Sequence, residues 1–290
     1  MNNTALHLRR RIANAVALAA SCVATGVGLV FLAWILWTTL KNGLGAMSWR
    51  LFTQPTAYAE QGGLSNAIVG SAIMNVLALA ICAPIGVLAG VFLAEYGNRS
   101  RLGNTIRFLN DILLSAPSIV LGLFVYVGVV LPMSNLSHGA VSFSGMAGAT
   151  ALALIGLPVI VRTTDEMLRL APASLREAAF ALGIPQWKLI VQVLMRAVRS
   201  GIVTGVLLAL ARMAGETAPL LFTAFGNNYL TVHPLDKTAS LPVAIYQYTN
   251  DPSPELHAIA WAGALLITGF VLALSLLVRM TFSRKQVPHD

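Results

Sequence analysis

Charged residues are scarce in this chain of 290 residues: they form 10% of the sequence, while hydrophobic residues form 57%. Because soluble domains contain about 25% charged residues, this shortage excludes an ordinary soluble protein. Cysteine is also rare, and the two present, Cys22 and Cys82, both lie in apolar stretches. That excludes a disulfide framework or a cysteine-based metal site. The composition indicates a membrane protein with room for several spans of about 20 residues each.

The motifs of a nucleotide-binding or metal-dependent enzyme are missing as well. No Gly-x-x-x-x-Gly-Lys-Ser/Thr segment occurs, so the usual P-loop cradle for ATP is absent. Histidine, cysteine and aspartate do not cluster at the spacing of metal ligands. The histidines are scattered over His7, His138, His233, His257 and His289. We therefore predict a non-catalytic chain that itself binds no cofactor and no metal.

Six long hydrophobic stretches predict six transmembrane helices, and hence an all-α, polytopic integral membrane protein. The first stretch is longer than the roughly 7–15 apolar residues of a cleavable signal peptide, so we predict that it is retained. The predicted spans cover residues 12–40, 65–94, 112–131, 144–161, 200–225 and 256–278.

The basic residues concentrate at alternate connections between these stretches. Only Lys41, Arg50 and Lys237 lie in the first, third and fifth connections. The termini and the second and fourth connections hold Arg9, Arg10, Arg11, Arg99, Arg101, Arg107, Arg162, Arg169, Arg176, Lys188, Arg196, Arg199, Arg279, Arg284 and Lys285. The positive-inside rule therefore predicts that both termini and those two connections are cytoplasmic. The net charge of +8 reflects this topology and does not indicate nucleic-acid binding.

The fourth connection, of about forty residues, is too long for a tight turn and predicts a short helix. Pro172 and a possible N-cap at Ser174, with Glu177 three residues later, indicate the helix start. Gly183 followed by Pro185 indicates its end. A helix of two to three turns is expected, which either docks in a groove of another protein or lies on the inner leaflet.

The same segment carries a family resemblance. Its pattern of Glu-Ala-Ala, three further residues and Gly resembles the EAA loop of ATP-binding-cassette importer permeases. The matching residues are Glu177, Ala178, Ala179 and Gly183, with Arg176 beside them. The resemblance implies that residues 172–190 hold a coupling helix that docks on an ATPase subunit. At 193–196 the chain has Val-Leu-Met-Arg, where the family usually has a sequence close to Ile-x-Leu-Pro.

Four longer blocks make the resemblance more specific, because they are similar to the PstA-type permeases of phosphate-specific importers. In the expected order, they are AEYGNRSRLGNTIRFLNDILLSAPSIVLGLFVY (94–126), PVIVRTTDEML (158–168), SLREAAFALG (174–183) and GIVTGVLLALARMAGETAPLLFTA (201–224). They cover the chain from the second span onward, while the N-terminal 60 residues are similar mainly in general character and carry no matching block.

The resemblance implies the fold, the partners and the location. It implies a type I importer permease fold, with one permease domain over 1–290, a core of about 65–282 and a first helix of about 12–40. The implied partners are a second, related permease subunit, two ATPase subunits that bind ATP–Mg, and an extracytoplasmic phosphate-binding protein. The chain would then form half of a phosphate pathway in a bacterial cytoplasmic (inner) membrane.

Two charged residues, Arg212 and Glu216, lie inside the fifth predicted span. At about 1.5 Å per residue, Arg212 lies roughly 18 Å from Ser200, near the middle of a hydrocarbon core of about 30 Å. The four-residue spacing places both side chains on one face. Either they form a self-neutralising pair against the other permease subunit, or they line the pathway. In the second case Arg212 would bind phosphate oxygens, and Glu216 would hold it before phosphate arrives.

Further candidates lie where a proline interrupts a predicted span. Gly215 and Pro219 predict a kink in the fifth span, which is either a hinge for the charged pair or ordinary membrane-helix composition. Ser115 and Ser118, beside Asp111, lie in the inner half of the third predicted span. There they would either bind an oxyanion or pack closely as small residues.

Charges also lie at the cytoplasmic ends of the spans. Arg162 and Asp165 have the i, i+3 spacing of a gate salt bridge, with Glu166 beside them, although interfacial anchoring is the alternative. Glu95, at the end of the second span, is interpreted as a boundary charge.

Other functional classes remain open from the residues alone. A stand-alone secondary transporter or channel would need internal repeats and its own ion-coupling carboxylates, yet only Glu216 is deeply placed. A structural or signalling membrane protein is a further class. Within the importer class, another oxyanion such as molybdate or sulfate is the alternative substrate.

Overall fold

The computed structural model describes residues 3–56, 62–97, 100–139 and 142–283. Within these ranges every regular element is a helix, as predicted. The basic residues Arg99, Arg284 and Lys285, like His289, lie outside the described residues.

The helices follow one another without any strand in the described ranges. In chain order they are α1 (Asn3–Gly45), α2 (Arg50–Thr53), α3 (Ser65–Val91), α4 (Arg101–Ser115), α5 (Ser118–Val125), α6 (Leu131–Leu136), α7 (Gly145–Leu170), α8 (Ala173–Ala181), α9 (Gln186–Lys188), α10 (Met195–Ala214), α11 (Ala218–Thr223), α12 (Leu241–Thr249) and α13 (Pro254–Ser283). Three π-helical segments extend or join them: Phe92–Tyr96 after α3, Tyr126–Val130 between α5 and α6, and Leu189–Leu194 between α9 and α10.

Six helical segments in the described part of the chain are long and apolar enough to cross a membrane, which confirms the predicted number. They cover residues 6–45, 65–96, 118–136, 145–170, 186–214 and 254–277. The third and fifth segments depart most from the predicted bounds, because the chain breaks beside each of them.

The third span begins later than predicted because the chain breaks at Pro117. Ala116, directly before it, has extended backbone angles of φ −66° and ψ 135°, as a following proline favours. The helix before the break, α4, is separate and largely exposed. The prediction of one helix over 112–131 is therefore wrong, and Asp111 and Ser115 lie on α4 rather than in the span.

The fifth span is also interrupted, at residues 215–217. Its helical segment starts earlier than predicted, at Gln186, and α10 ends at Ala214, with Gly215 as its C-terminal cap. Pro219 lies in the first turn of α11, where its missing N–H breaks no hydrogen bond. The predicted continuous helix with a proline kink is wrong, since the segment consists of two helices and a break.

The core of the bundle is α7. In its apolar membrane-spanning stretch 67% of the residues are buried, a larger share than in any other described span. Glycines on its neighbours permit this packing. A Cβ atom on Gly90 of α3 would lie 2.5 Å from Thr164 Cβ, and one on Gly205 of α10 would lie 2.6 Å from Thr163 Cγ2. Small residues let membrane helices approach closely, so α7 is held between α3 and α10.

The two ends of the bundle differ. One end carries α8, and we call it the α8 end. The opposite end carries α2, α12 and the loop between α11 and α12. This loop is tied to the start of α3 by Asn66, whose Nδ2 donates to the carbonyl oxygen of Asn227 at 2.6 Å. The start of α12 is tied to α3 by the N–H of Leu241, which donates to Ser71 Oγ at 2.8 Å.

Candidate substrate pathway and coupling site

The two charged residues of the fifth span lie at its break. Arg212 is in the last turn of α10, and Glu216 lies between α10 and α11. Arg212 Nε lies 4.0 Å from Glu216 Oε1, and their side chains are 40% and 18% exposed. This distance is longer than a hydrogen bond. The two groups therefore face each other as an ion pair that leaves the guanidinium N–H groups available.

The break lies near mid-depth in the bundle. Met213, next to Arg212, packs against Gly156 of α7. A Cβ atom added to that glycine would lie only 2.7 Å from Met213 Sδ. Gly156 is near the middle of α7, in agreement with the depth estimated from the sequence. In transporters, helix breaks at this depth form substrate and ion sites, because they expose backbone N–H and C=O groups.

The helix after the break packs on the start of the third span. A Cβ atom on Gly122 of α5 would lie 2.6 Å from Pro219 Cα. Ser118 begins α5, one turn before Gly122, and so lies on the same face of that helix. Ser115 lies apart on α4, where its hydroxyl donates to the carbonyl oxygen of Asp111 at 3.0 Å. Ser118 therefore lies on the face of α5 that packs against α11, one turn before the contact, whereas Ser115 lies on another helix.

The predicted salt bridge between Arg162 and Asp165 is wrong. Arg162 Nε donates to Glu166 Oε1 at 2.8 Å, one full turn away, where both side chains are exposed to solvent. Asp165 is buried and accepts from Arg107 Nε at 3.1 Å and from Arg169 Nε at 2.8 Å. The i, i+4 spacing aligns these side chains along α7 better than i, i+3 does, and Asp165 faces α4.

A cavity of about 180 Å³ lies beside this cluster at the α8 end. It is lined by Leu93, Arg107, Asn110, Asp111, Val161, Arg162, Asp165 and Glu166. Because the carboxylates in this wall outnumber the arginines, an anion would find no net attraction here. Sequence reasoning missed Arg107 in this cluster and counted it only as a basic residue of the second connection.

The predicted coupling helix is α8, which begins directly after Pro172. Ser174 lies inside the helix and provides no cap, so its predicted N-cap role is wrong. The predicted stop is confirmed: Gly183 has φ +70°, and its N–H donates to the carbonyl oxygen of Phe180 at 3.0 Å. Glycine adopts this left-handed conformation without steric cost.

The surface around α8 is apolar and exposed. Four side chains there are more than half exposed: Leu170, Phe180, Leu182 and Trp187. Within the motif, Ala179 is buried, whereas Glu177 and Ala178 are exposed. Clustered apolar groups of this kind, beside a short helix, are typical of a protein contact surface.

Glu95, interpreted as a boundary charge, is instead buried against α8. Its Oε1 accepts from Arg176 Nη2 at 2.7 Å, and 7% of its side chain is exposed. The two residues are 81 positions apart in the sequence, so no local spacing predicts the pair. Arg176 therefore directs its guanidinium into the chain, although the resemblance places it among the ATPase-coupling residues.

At the opposite end lies a cavity of about 340 Å³. Its lining includes Lys237, Phe225 and Tyr248, and Lys237 Nζ lies 5.8 Å from the centre of the Phe225 ring. Burial raises the pKa of the Tyr248 phenol. Because α11 leads from Glu216 to Phe225, this cavity lies one short helix away from the break.

These features define a class of membrane protein, the type I importer permease, with a broken fifth span and a short helix at one end. Residues 86–286 match the family described as "Binding-protein-dependent transport system inner membrane component". The inward-facing MetNI methionine ABC transporter has the same fold, with 20% identity, a TM-score of 0.54, and coverage of 81% of this chain and 99% of that chain. An amino acid ABC transporter solved with histidines has 17% identity, a TM-score of 0.54, and coverage of 76% and 92%.

Relatives in sequence narrow the class. The phosphate transport system permease protein PstA of Xylella fastidiosa is 52% identical over 98% of this chain and 97% of its own length. PstA of Haemophilus influenzae is 52% identical, with 96% of each chain covered. PstA 1 of Mycobacterium tuberculosis is 36% identical over 95% and 90%. The chain therefore belongs to the binding-protein-dependent inner membrane transport components and, within them, to the PstA phosphate transport system permeases.

Proposed function

We propose that this chain forms half of the translocation pathway of an ATP-driven phosphate importer, and that phosphate meets Arg212 at the break between α10 and α11. The observation that carries the proposal is a cation at mid-depth on a broken helix, with 40% of its side chain exposed. Arginine at the centre of a bilayer costs about 2.5–3.5 kcal/mol or more. Such a residue needs an anionic partner or a water-filled pathway, and phosphate transport would supply both.

The ion pair with Glu216 supplies the counter-charge before phosphate arrives. A planar guanidinium binds two phosphate oxygens at once and keeps its charge when desolvated. Phosphate would compete with Glu216 for Arg212, and the nearby carboxylate would then repel the bound anion. The pair thus lowers the cost of a buried cation and keeps phosphate binding weak enough for release.

The break provides a hinge for this exchange. Gly215 ends α10 and Pro219 lies in the first turn of α11. Since the segment between two helices bends more easily than a continuous helix, α10 and α11 would move relative to each other there. At the α8 end, the pairs formed by Arg162 with Glu166 and by Asp165 with Arg107 are the candidates for a gate.

Partner subunits would supply what this single permease domain lacks. Two ATPase subunits would bind ATP–Mg, and one of them would dock on α8 and contact its exposed Glu177, Ala178 and Phe180. A second, related permease would complete the pathway, and an extracytoplasmic phosphate-binding protein would deliver phosphate to the cavity at the opposite end. The chain itself would then need no cofactor.

This arrangement requires the α8 end to face the cytoplasm. The concentration of arginine at that end supports the orientation. Because the described residues form six spans, an even number, both termini would also lie on the cytoplasmic side of the inner membrane.

The full complex, reconstituted in vesicles with its binding protein, tests the proposal. We expect phosphate, but not sulfate or molybdate, to stimulate both ATP hydrolysis and uptake of the labelled anion. Stimulation by one of those other anions instead would indicate an importer for that oxyanion. Phosphate uptake by this chain without ATPase subunits would indicate a stand-alone transporter.

A further inference from the structure

The π-helical turn that ends the second span, Phe92–Tyr96, is where other elements attach. Turns of this kind are rare and frequently occur at functional sites. From α4, Arg107 Nη2 donates to the carbonyl oxygen of Leu93 at 2.6 Å. From α8, Arg176 donates to the Glu95 carboxylate through Nη2 at 2.7 Å and through Nε at 3.4 Å. The end of α3 is thus held by two arginines from different helices.

Arg176 also joins α8 to the end of α7. Its Nη2 donates to the carbonyl oxygen of Leu168 at 2.8 Å, and its Nη1 donates to that of Ala171 at 2.9 Å. Leu168 lies in the last turn of α7, and Ala171 caps it, so Arg176 donates to carbonyl oxygens at a helix end, where backbone partners are fewest. One guanidinium therefore connects the end of α3, the end of α7 and α8.

Burial distinguishes this ion pair from its neighbour at the same end. The side chains of Glu95 and Arg176 are 7% and 25% exposed, so loss of one partner would leave the other charge unpaired inside the protein. The side chains of Arg162 and Glu166 are 59% and 55% exposed, and solvent would screen either charge. Of these two pairs, Glu95 with Arg176 is the one that holds two elements together, because Arg162 and Glu166 both lie on α7.

A second cluster connects the same turn to α7. Asp165 accepts from Arg107 and from Arg169, and Arg107 is the residue that also holds Leu93. The π-helical turn and the last turns of α7 therefore form one hydrogen-bonded unit, to which α8 is attached through Arg176.

We propose that Arg176 and Glu95 are positioning residues for energy coupling: they attach α8 to the ends of α3 and α7, so that a displacement of α8 moves both spans together. The inference rests on the proposed function, because the displacement comes from the ATPase docked on α8. The movement passes from α7 to α10 where Thr163 packs against Gly205, and α10 ends beside Arg212. Without the attachment, α8 would tilt while the spans stay in place.

The test measures ATP hydrolysed per phosphate transported by the full complex in vesicles. Glu95→Gln and Arg176→Gln leave the exposed docking face of α8 unchanged. We therefore expect the complexes that assemble to transport at least tenfold less phosphate per ATP. The double variant is expected to be no worse than either single variant, because both residues act through one contact. Arg176→Lys keeps the charge but lacks the planar fork, so an intermediate ratio is expected.

Arg101→Gln is the matched control, since it removes the same charge from an exposed position on α4 and is expected to keep the wild-type ratio. Transport and hydrolysis that fall in proportion in the Glu95 and Arg176 variants would overturn the inference, because the contact would then serve stability only. If Arg176→Gln does not assemble, the ratio in Arg176→Lys decides in the same way. A wild-type complex without phosphate-stimulated hydrolysis would refute the proposed function instead, so the two failures are distinguishable.

Discussion

Arg212 differs from Arg107 and Arg176 in how its donors are used. The donors of Arg107 and Arg176 bind oxygen atoms of the same chain at hydrogen-bond distance. Arg212 faces Glu216 at 4.0 Å, so its charge is balanced while its N–H groups stay available. An arginine offers five N–H donors in a planar fork, which can bind two oxygens of a tetrahedral oxyanion at once.

Replacing Arg212 by glutamine is expected to reduce phosphate uptake at least tenfold, or about 1.4 kcal/mol in transition-state free energy. The neutral amide cannot attract an anion at mid-depth, whereas Arg212→Lys keeps the charge and is expected to retain part of the uptake. Uptake of labelled phosphate into vesicles is the measurement, with subunit composition checked in parallel. Normal uptake in an assembled Arg212→Gln complex would show that the pair with Glu216 is structural.

At the scale of helices, most of the candidate functional residues lie where a helix ends or begins. The fifth span stops at Ala214 and resumes with α11, and the third starts only after Pro117. Pro117 and Pro219 both predict a perturbed helix from the sequence alone. Whether a proline kinks a helix or starts a new one depends on the packing of both sides, here on the contact between Pro219 and Gly122.

The end of α8 gives a prediction at this scale, through Gly183→Ala. Gly183 has φ +70°, a conformation that costs a residue with a side chain roughly 1–2 kcal/mol. Apart from Gly183 itself and its two chain neighbours, no described residue has a heavy atom within 4 Å of the added Cβ, so only backbone strain is introduced. We expect less ATPase subunit to co-purify with Gly183→Ala than with Gly183→Asn, because asparagine tolerates this conformation. Equal losses in both variants would contradict a purely conformational role.

For the whole molecule, stability depends on how closely α3 and α10 approach α7. Gly90→Ala tests this packing, because its Cβ would lie 2.5 Å from the Cβ of the buried Thr164, which the two backbones hold in place. Overpacking of this kind costs about 1–3 kcal/mol, so a lower thermal unfolding midpoint in detergent is expected. Gly269→Ala in α13 is the control, since its added Cβ would meet no described heavy atom within 4 Å outside the adjacent backbone of its own helix. Equal midpoints for the two variants would argue against tight packing at Gly90.

Membrane orientation gives a second prediction at this scale. In a Cys22→Ser background, Tyr229→Cys is expected to react with a membrane-impermeant thiol reagent in intact cells. Arg101→Cys, at the α8 end but at the start of α4 and outside the surface around α8, is expected to react only after permeabilisation. Both positions are exposed in the structure, so access from the two sides decides the labelling. The reverse pattern would place the α8 end outside the cell and contradict docking of an ATPase there.

The sequence by itself determines the number of spans, the short helix with its stop at Gly183, and the mid-depth position of Arg212. These features depend on hydrophobic length, turn chemistry and rise per residue, all of which are local. Only the tertiary structure decides that Glu95 pairs with Arg176 and that Asp165 pairs with Arg107. Long charged side chains choose partners among groups that folding brings together, and the cost of burying a charge depends on those neighbours, which lie far apart in the sequence.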